Sequence, residues 1–81
     1  MVEHAIPEVL LDLTGLRCPL PLLRLKIHLK SIEPGSLLWV ATSDPASQRD
    51  FAAFAAQQGH RLEETFVRDD RFYFLVQKAV A

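Results

Sequence analysis

The chain contains one cysteine, Cys18, and it opens the run Cys18-Pro19-Leu20-Pro21. An apolar stretch, Val9-Leu10-Leu11-Asp12-Leu13, and a turn, Thr14-Gly15-Leu16, precede it, and a long helical pattern follows. This order predicts a thiol at a strand-to-helix junction, near the helix N-cap. A helix N-terminus carries roughly half a positive charge, which favours a thiolate over a thiol. Arg17 precedes the thiol and Arg24 follows six residues on, so both are expected to strengthen that preference. Pro19 and Pro21 cost no helical hydrogen bond, because the first N–H groups of a helix have no intrahelical partner. They do stiffen the backbone around the sulfur. Ordinary N-caps are Ser, Thr, Asp or Asn. A cysteine here gives up capping strength, which favours a reactive Cys18 over a small buried hydrophobe.

Hydrolase chemistry needs a general base within hydrogen-bond reach of the nucleophile. His28 lies ten residues along the helix, roughly 15 Å away at the helical rise. His60 opens the third strand, and nothing in the sequence pairs it with Cys18. A thioredoxin-like reaction needs a second, resolving cysteine, and there is none. His4, His28 and His60 show no metal-ligand spacing. Neither a metal nor a cofactor is therefore expected. A lone exposed thiolate suits covalent carriage: it accepts an atom or group from one protein and hands it to another.

The elements that must hold this thiol follow from periodicity and turn residues. Residues 1–8 read as a short flexible lead. A strand fits 9–13 and a helix fits about 19–32, ending before Pro34-Gly35. Residues 36–42 read as a mostly buried strand. Asp44 reads as an N-cap, with Pro45 at the first position of a second helix that runs to about Gln58. Gly59 stands where a left-handed C′ residue is expected. Strands fit about 60–67 and 71–78, with Arg68-Asp69-Asp70 as a tight hairpin link. The order β-α-β-α-β-β predicts an α/β (α+β) two-layer sandwich. It has a four-stranded mixed sheet with two helices on one face, in a single domain spanning 1–81.

In the first helix Leu22, Leu25, Leu29 and Ile32 form one apolar stripe, expected to be core. Leu20, Leu23 and Ile27 form a second. For Ile27 the expectation is packing against the second helix. For Leu20 and Leu23 that packing and an exposed partner-docking patch beside Cys18 both stay open. In the second helix Phe51, Phe54 and Ala55 are expected in the core, and Ala52, Ala53 and Ala56 would permit close helix approach. Asp50 follows Arg49 and could pair with it or with another basic residue nearby, but a solvated surface charge is the expectation. Phe72, Tyr73 and Phe74 are expected as core rather than a stacking platform, since strand alternation buries half of them.

Eighty-one residues with 49% hydrophobic and 23% charged residues suit one small globular domain. A formal net charge of −1 provides no global basic field, so direct nucleic-acid binding is not expected. The apolar runs are broken by charge well short of a membrane span. Met1-Val2-Glu3-His4 lacks the basic and apolar regions of a signal peptide. No membrane association and a cytoplasmic location are expected.

The chain also resembles the TusA (SirA-like) sulfur-carrier family across residues 11–78. Leu11-Asp12-Leu13-Thr14-Gly15-Leu16-Arg17-Cys18-Pro19-Leu20-Pro21 is similar to the family's LD..GL.CP.P signature. Pro34-Gly35-Ser36-Leu37-Leu38, then Thr42-Ser43-Asp44-Pro45 and Arg49-Asp50, are similar to its PG..L.V..DDP....DI segment, and Gly59-His60-Arg61-Leu62 to its third-strand start. The resemblance implies the same two-layer fold. It also implies that Cys18 receives sulfane sulfur as a persulfide, with Pro19, Pro21 and Arg17 as the site framework. The donor it implies is a cysteine desulfurase or rhodanese-type protein, and the recipient a downstream acceptor protein, as in tRNA 2-thiouridine synthesis. Leu20, Leu23, Arg24 and Lys26 are candidate partner-binding residues around the sulfur. A monomer that forms transient complexes is expected. Many members carry a second cysteine about where Ala55 stands here, so any activity in this chain must run through Cys18 alone. The alternative is a non-enzymatic regulatory or protein-interaction module with a redox-sensitive cysteine.

Overall fold

The computed structural model describes residues 10–80. The elements are β1 (Leu11–Leu13), α1 (Leu20–Lys30), β2 (Leu37–Thr42), α2 (Ala46–Gln58), β3 (Arg61–Arg68) and β4 (Arg71–Gln77). The order and type of all six match the expectation from the sequence. The expected lead at 1–8, and Val9 at the expected start of the first strand, lie outside the described residues.

The sheet order is β1-β2-β4-β3. β1 and β2 run parallel, with Leu11 opposite Val40 and Leu13 opposite Thr42. The α1 crossover between them is what a parallel pair requires. β2 pairs antiparallel with β4, and β4 with β3. Leu13, Leu25, Leu29, Val40, Phe51, Phe74 and Val76 form one core cluster, so α1 and α2 cover the same face of a mixed sheet. Phe51 and Phe74 meet across it at 4.7 Å between ring centroids. Leu22 and Ile32 pack at its edge, as the first stripe of α1 predicts.

Two expectations are corrected and one open reading is resolved. Ile27 is 65% exposed and does not pack against α2. Leu20 and Leu23 are each 45% exposed, which resolves their two readings toward an exposed strip. Ala52, Ala53 and Ala56 are exposed rather than buried between the helices. Between the two helices, the Lys26 ammonium lies instead over the Phe54 ring, 5.5 Å from its centroid. Tyr73 is buried although it alternates with Phe72 and Phe74. On the face away from the helices, Phe66 stacks on it at 4.7 Å, and Trp39 meets Phe66 edge-on at 5.6 Å.

The turns carry the chain direction. Gly59 ends α2 at φ 79°, the left-handed C′ position predicted for it. Asp69 and Asp70 both have positive φ, 53° and 62°, and form a two-residue hairpin of the primed type.

Candidate functional site

The carboxyl ends of β1 and β2 lie side by side, so the loops that leave them, 14–19 and 43–45, meet at one edge of the sheet. Openings of this kind, beyond the carboxyl ends of parallel strands, commonly form binding sites. Hydrogen bonds cross-link the two loops. Gly15 N–H donates to Ser43 Oγ at 2.8 Å, and Cys18 N–H donates to Asp44 Oδ2 at 2.5 Å. Gly15 adopts φ 88°, where a side chain would be strained. Thr14 is held by Asp12, whose Oδ1 accepts from both its N–H (3.0 Å) and its hydroxyl (2.7 Å). Those bonds, then Arg71, hold the Asp12 carboxyl below its ordinary pKa against a small opposing effect of burial.

Asp44 serves both loops. Its Oδ1 accepts from Ala46 N–H at 3.0 Å, and its carbonyl accepts from Ser47 N–H at 3.0 Å. It therefore caps α2 as expected, although the helix begins at Ala46, with Pro45 in the N-cap position. The backbone bonds from Ala46 and Cys18, then Arg17 and Arg49, hold its pKa low.

Cys18 sits exposed in an open cleft of about 460 Å³, lined with Gly15, Leu16, Arg17, Ser43, Asp44 and Pro45. The Cys18-Pro19 peptide is cis, and Pro19 occupies the N-cap position of α1, one residue after the thiol. Pro21 is buried in the first turn. Cys18 Sγ donates to Asp50 Oδ2 on α2 at 3.5 Å.

The electrostatics reverse the expectation from the sequence. The thiol pKa is raised, first by the Asp50 hydrogen bond, then by desolvation and the charges of Asp50 and Asp44; Arg49 opposes them. Arg17 bears on Asp44 rather than on the sulfur. The two carboxylates thus favour the thiol, where the sequence led to the expectation of a favoured thiolate. Asp50 is no solvated surface charge: its side chain is 23% exposed and its Oδ1 lies 3.5 Å from Arg49 Nε.

Leu20 and Leu23 are exposed on the first turns of α1, beyond Cys18. Arg24 and Lys26 are not brought into the thiol cleft. Arg24 borders a depression with Leu11, Leu13, Ile27 and His28. Lys26 borders a groove of about 350 Å³ with Phe54, His60 and Lys78. Several groups in that groove already have structural partners. His60 Nδ1 accepts from Ala79 N–H at 2.9 Å, and Lys78 Nζ donates to the Ile32 carbonyl at 2.6 Å. Burial, then Lys78, lowers the His60 pKa. His60 and His28 thus border other depressions than the Cys18 cleft. No group of three or more potential metal ligands occurs among the described residues.

Sequence reasoning did not bring Asp50, Asp44 and Ser43 to the sulfur. The available signal was their place in the second motif, which the fold lays against the first.

Comparison with known proteins agrees with this architecture. The family model described as sulfurtransferase TusA matches residues 9–78. A sulfur carrier protein TusA from Allochromatium vinosum is 45% identical over 69 residues, covering 85% of this chain and 91% of the relative. One from Pseudomonas aeruginosa is 34% identical over 77 residues, covering 95% and 96%. The crystal structure of a SirA-like protein from Desulfitobacterium hafniense superposes with a TM-score of 0.75 at 22% identity, covering 85% of this chain and 95% of that one. This is the two-layer fold of a mixed four-stranded sheet under two helices, with a cysteine at the first strand-to-helix junction. The chain belongs to the TusA family.

Proposed function

We propose that this protein is a sulfur carrier that holds sulfane sulfur as a persulfide on Cys18 and passes it to an acceptor protein. Exposure of Cys18 in an open cleft carries this reading, since a sulfur passed between two proteins must reach both. The cross-linked loops support it by keeping the thiol in one place. The names of the relatives, sulfur carrier protein TusA, support it further.

In loading, Cys18 Sγ bonds to the terminal sulfur of a donor persulfide. The donor's own S–S bond breaks, and the donor leaves as a thiolate with the electron pair. It is reprotonated as Cys18 loses its proton, so no net oxidation occurs. Unloading repeats the step, with an acceptor thiolate attacking the outer sulfur on Cys18. A cysteine desulfurase or rhodanese-type protein fits the donor, and a component of tRNA 2-thiouridine synthesis or a related relay fits the acceptor. Such a carrier works in the cytoplasm, and no helix among the described residues is long and apolar enough to cross a membrane. The exposed Leu20 and Leu23 suit docking beside the thiol.

Mass spectrometry after incubation with a cysteine desulfurase and cysteine tests the reading. Wild type is expected to gain one sulfur atom, releasable by reductant, and Cys18→Ser to gain none. Absence of the adduct on wild type with desulfurase and rhodanese donors alike would overturn it.

A further inference from the structure

Asp50 lies about one turn into α2, and its two carboxylate oxygens face different partners. Oδ2 accepts the Cys18 thiol at 3.5 Å, and Oδ1 lies 3.5 Å from Arg49 Nε. Four charged groups bear on this corner. Asp50 and Arg49 come from α2, Asp44 from the loop before it, and Arg17 from the loop that carries the thiol. Cys18 N–H is bonded to Asp44, so the backbone under the sulfur is tied, and the sulfur itself is held by Asp50. The thiolate, not the thiol, is the nucleophile. A carboxylate that accepts the S–H bond stabilises the thiol, and it repels the thiolate that must replace it.

We propose that Asp50 is a positioning residue for sulfur loading: its carboxylate holds the resting Cys18 thiol protonated and turned onto α2, so that the sulfur stays weakly nucleophilic until a docking partner draws the carboxylate away. The inference rests on the reading of Cys18 as the sulfur carrier. Asp50 acts through Sγ, which it holds at 3.5 Å. In the free carrier the hold limits stray alkylation and oxidation of an exposed thiol.

Two measurements on the intact chain test this. The first is the pH profile of iodoacetamide alkylation, which needs no sulfur donor. Asp50→Asn is expected to move the profile to lower pH and to react about three- to tenfold faster near neutrality, since one pKa unit is tenfold in thiolate. Asp50→Glu keeps the charge and is expected to stay near wild type. Arg49→Ala, at a side chain 80% exposed, is expected to move the profile to higher pH. A profile for Asp50→Asn that superimposes on wild type overturns the proposal, as does an equal shift in Asp50→Glu. If Asp50→Asn does not fold, an unmoved Arg49→Ala profile overturns it. The second measurement is loading from sodium polysulfide, read by mass. Here Sγ bonds to a terminal polysulfide sulfur, the adjoining S–S bond breaks, the shortened polysulfide leaves with the electron pair, and the thiol proton goes to water. Asp50→Asn is expected to load faster than wild type near neutrality, and equal rates overturn the proposal. If the alkylation profile shifts as expected but no protein, wild type or variant, accepts sulfur from polysulfide, desulfurase or rhodanese, no loading rates exist to compare, the Asp50 hold stands on the alkylation profile and the carrier reading falls.

Discussion

Asp44 joins the two halves of the site through one carboxylate, taking the Cys18 N–H on one oxygen and the Ala46 N–H on the other. Removing it leaves two backbone donors seeking water and withdraws one of the negative charges near the sulfur. Asp44→Ala is therefore expected to lower the melting temperature by a few degrees and to shift Cys18 alkylation slightly toward lower pH. Asp44 also has a pH signature. Its folded pKa is depressed, so its contribution is complete above the unfolded value, about 4. It is lost as pH falls through the lower folded value. Acid titrations of wild type and Asp44→Asn, followed by circular dichroism, should differ in that window and converge below it.

At the level of elements, the β3-β4 hairpin is held in a turn its residues tolerate at a cost. Asp69 and Asp70 both occupy the left-handed region, which aspartate visits more readily than most residues and glycine more readily still. Primed two-residue turns favour Asp-Gly over Asp-Asp. Asp70→Gly is expected to raise stability by about 1 kcal/mol, read as a higher urea midpoint at unchanged slope. The loops that carry the thiol behave differently: their order comes from bonds to each other, 26 to 28 residues apart in sequence, rather than from local turn preference.

The whole molecule stands on a small core. A domain of 81 residues has roughly 4–12 kcal/mol of stability at typical per-residue values. Phe51 is fully buried and meets Phe74 between α2 and the sheet. Phe51→Ala is expected to cost about 3–5 kcal/mol. That is a large share of the total, and it loosens the helix that carries Asp50. Urea unfolding should show the loss directly, and near-ultraviolet circular dichroism should show weakened aromatic packing. The sulfur site has no separate core of its own, so it cannot outlast this one.

The order of elements was legible in the sequence because its causes are local. The 3,4,3 spacing of Leu22, Leu25, Leu29 and Ile32, the Pro34-Gly35 break, Gly59 as a C′ residue and the Asp-Asp turn each act over a few residues. The exposed cysteine between a strand and a helix was legible for the same reason. Which second apolar stripe is covered was not, since Ile27 depends on where α2 lies, and α2 meets α1 through Phe54 and Lys26. Nor was the charge at the sulfur. Counting neighbours along the chain puts Arg17 and a helix end beside Cys18. In the fold the charges that act most on the sulfur are carboxylates, Asp50 from 32 residues away and Asp44 from 26. Electrostatic interaction follows distance through the fold. The sequence alone therefore determined that one thiol stands on a rigid strand-to-helix junction, and only the tertiary structure decided that carboxylates from the second helix and its loop face the sulfur and favour its protonated form.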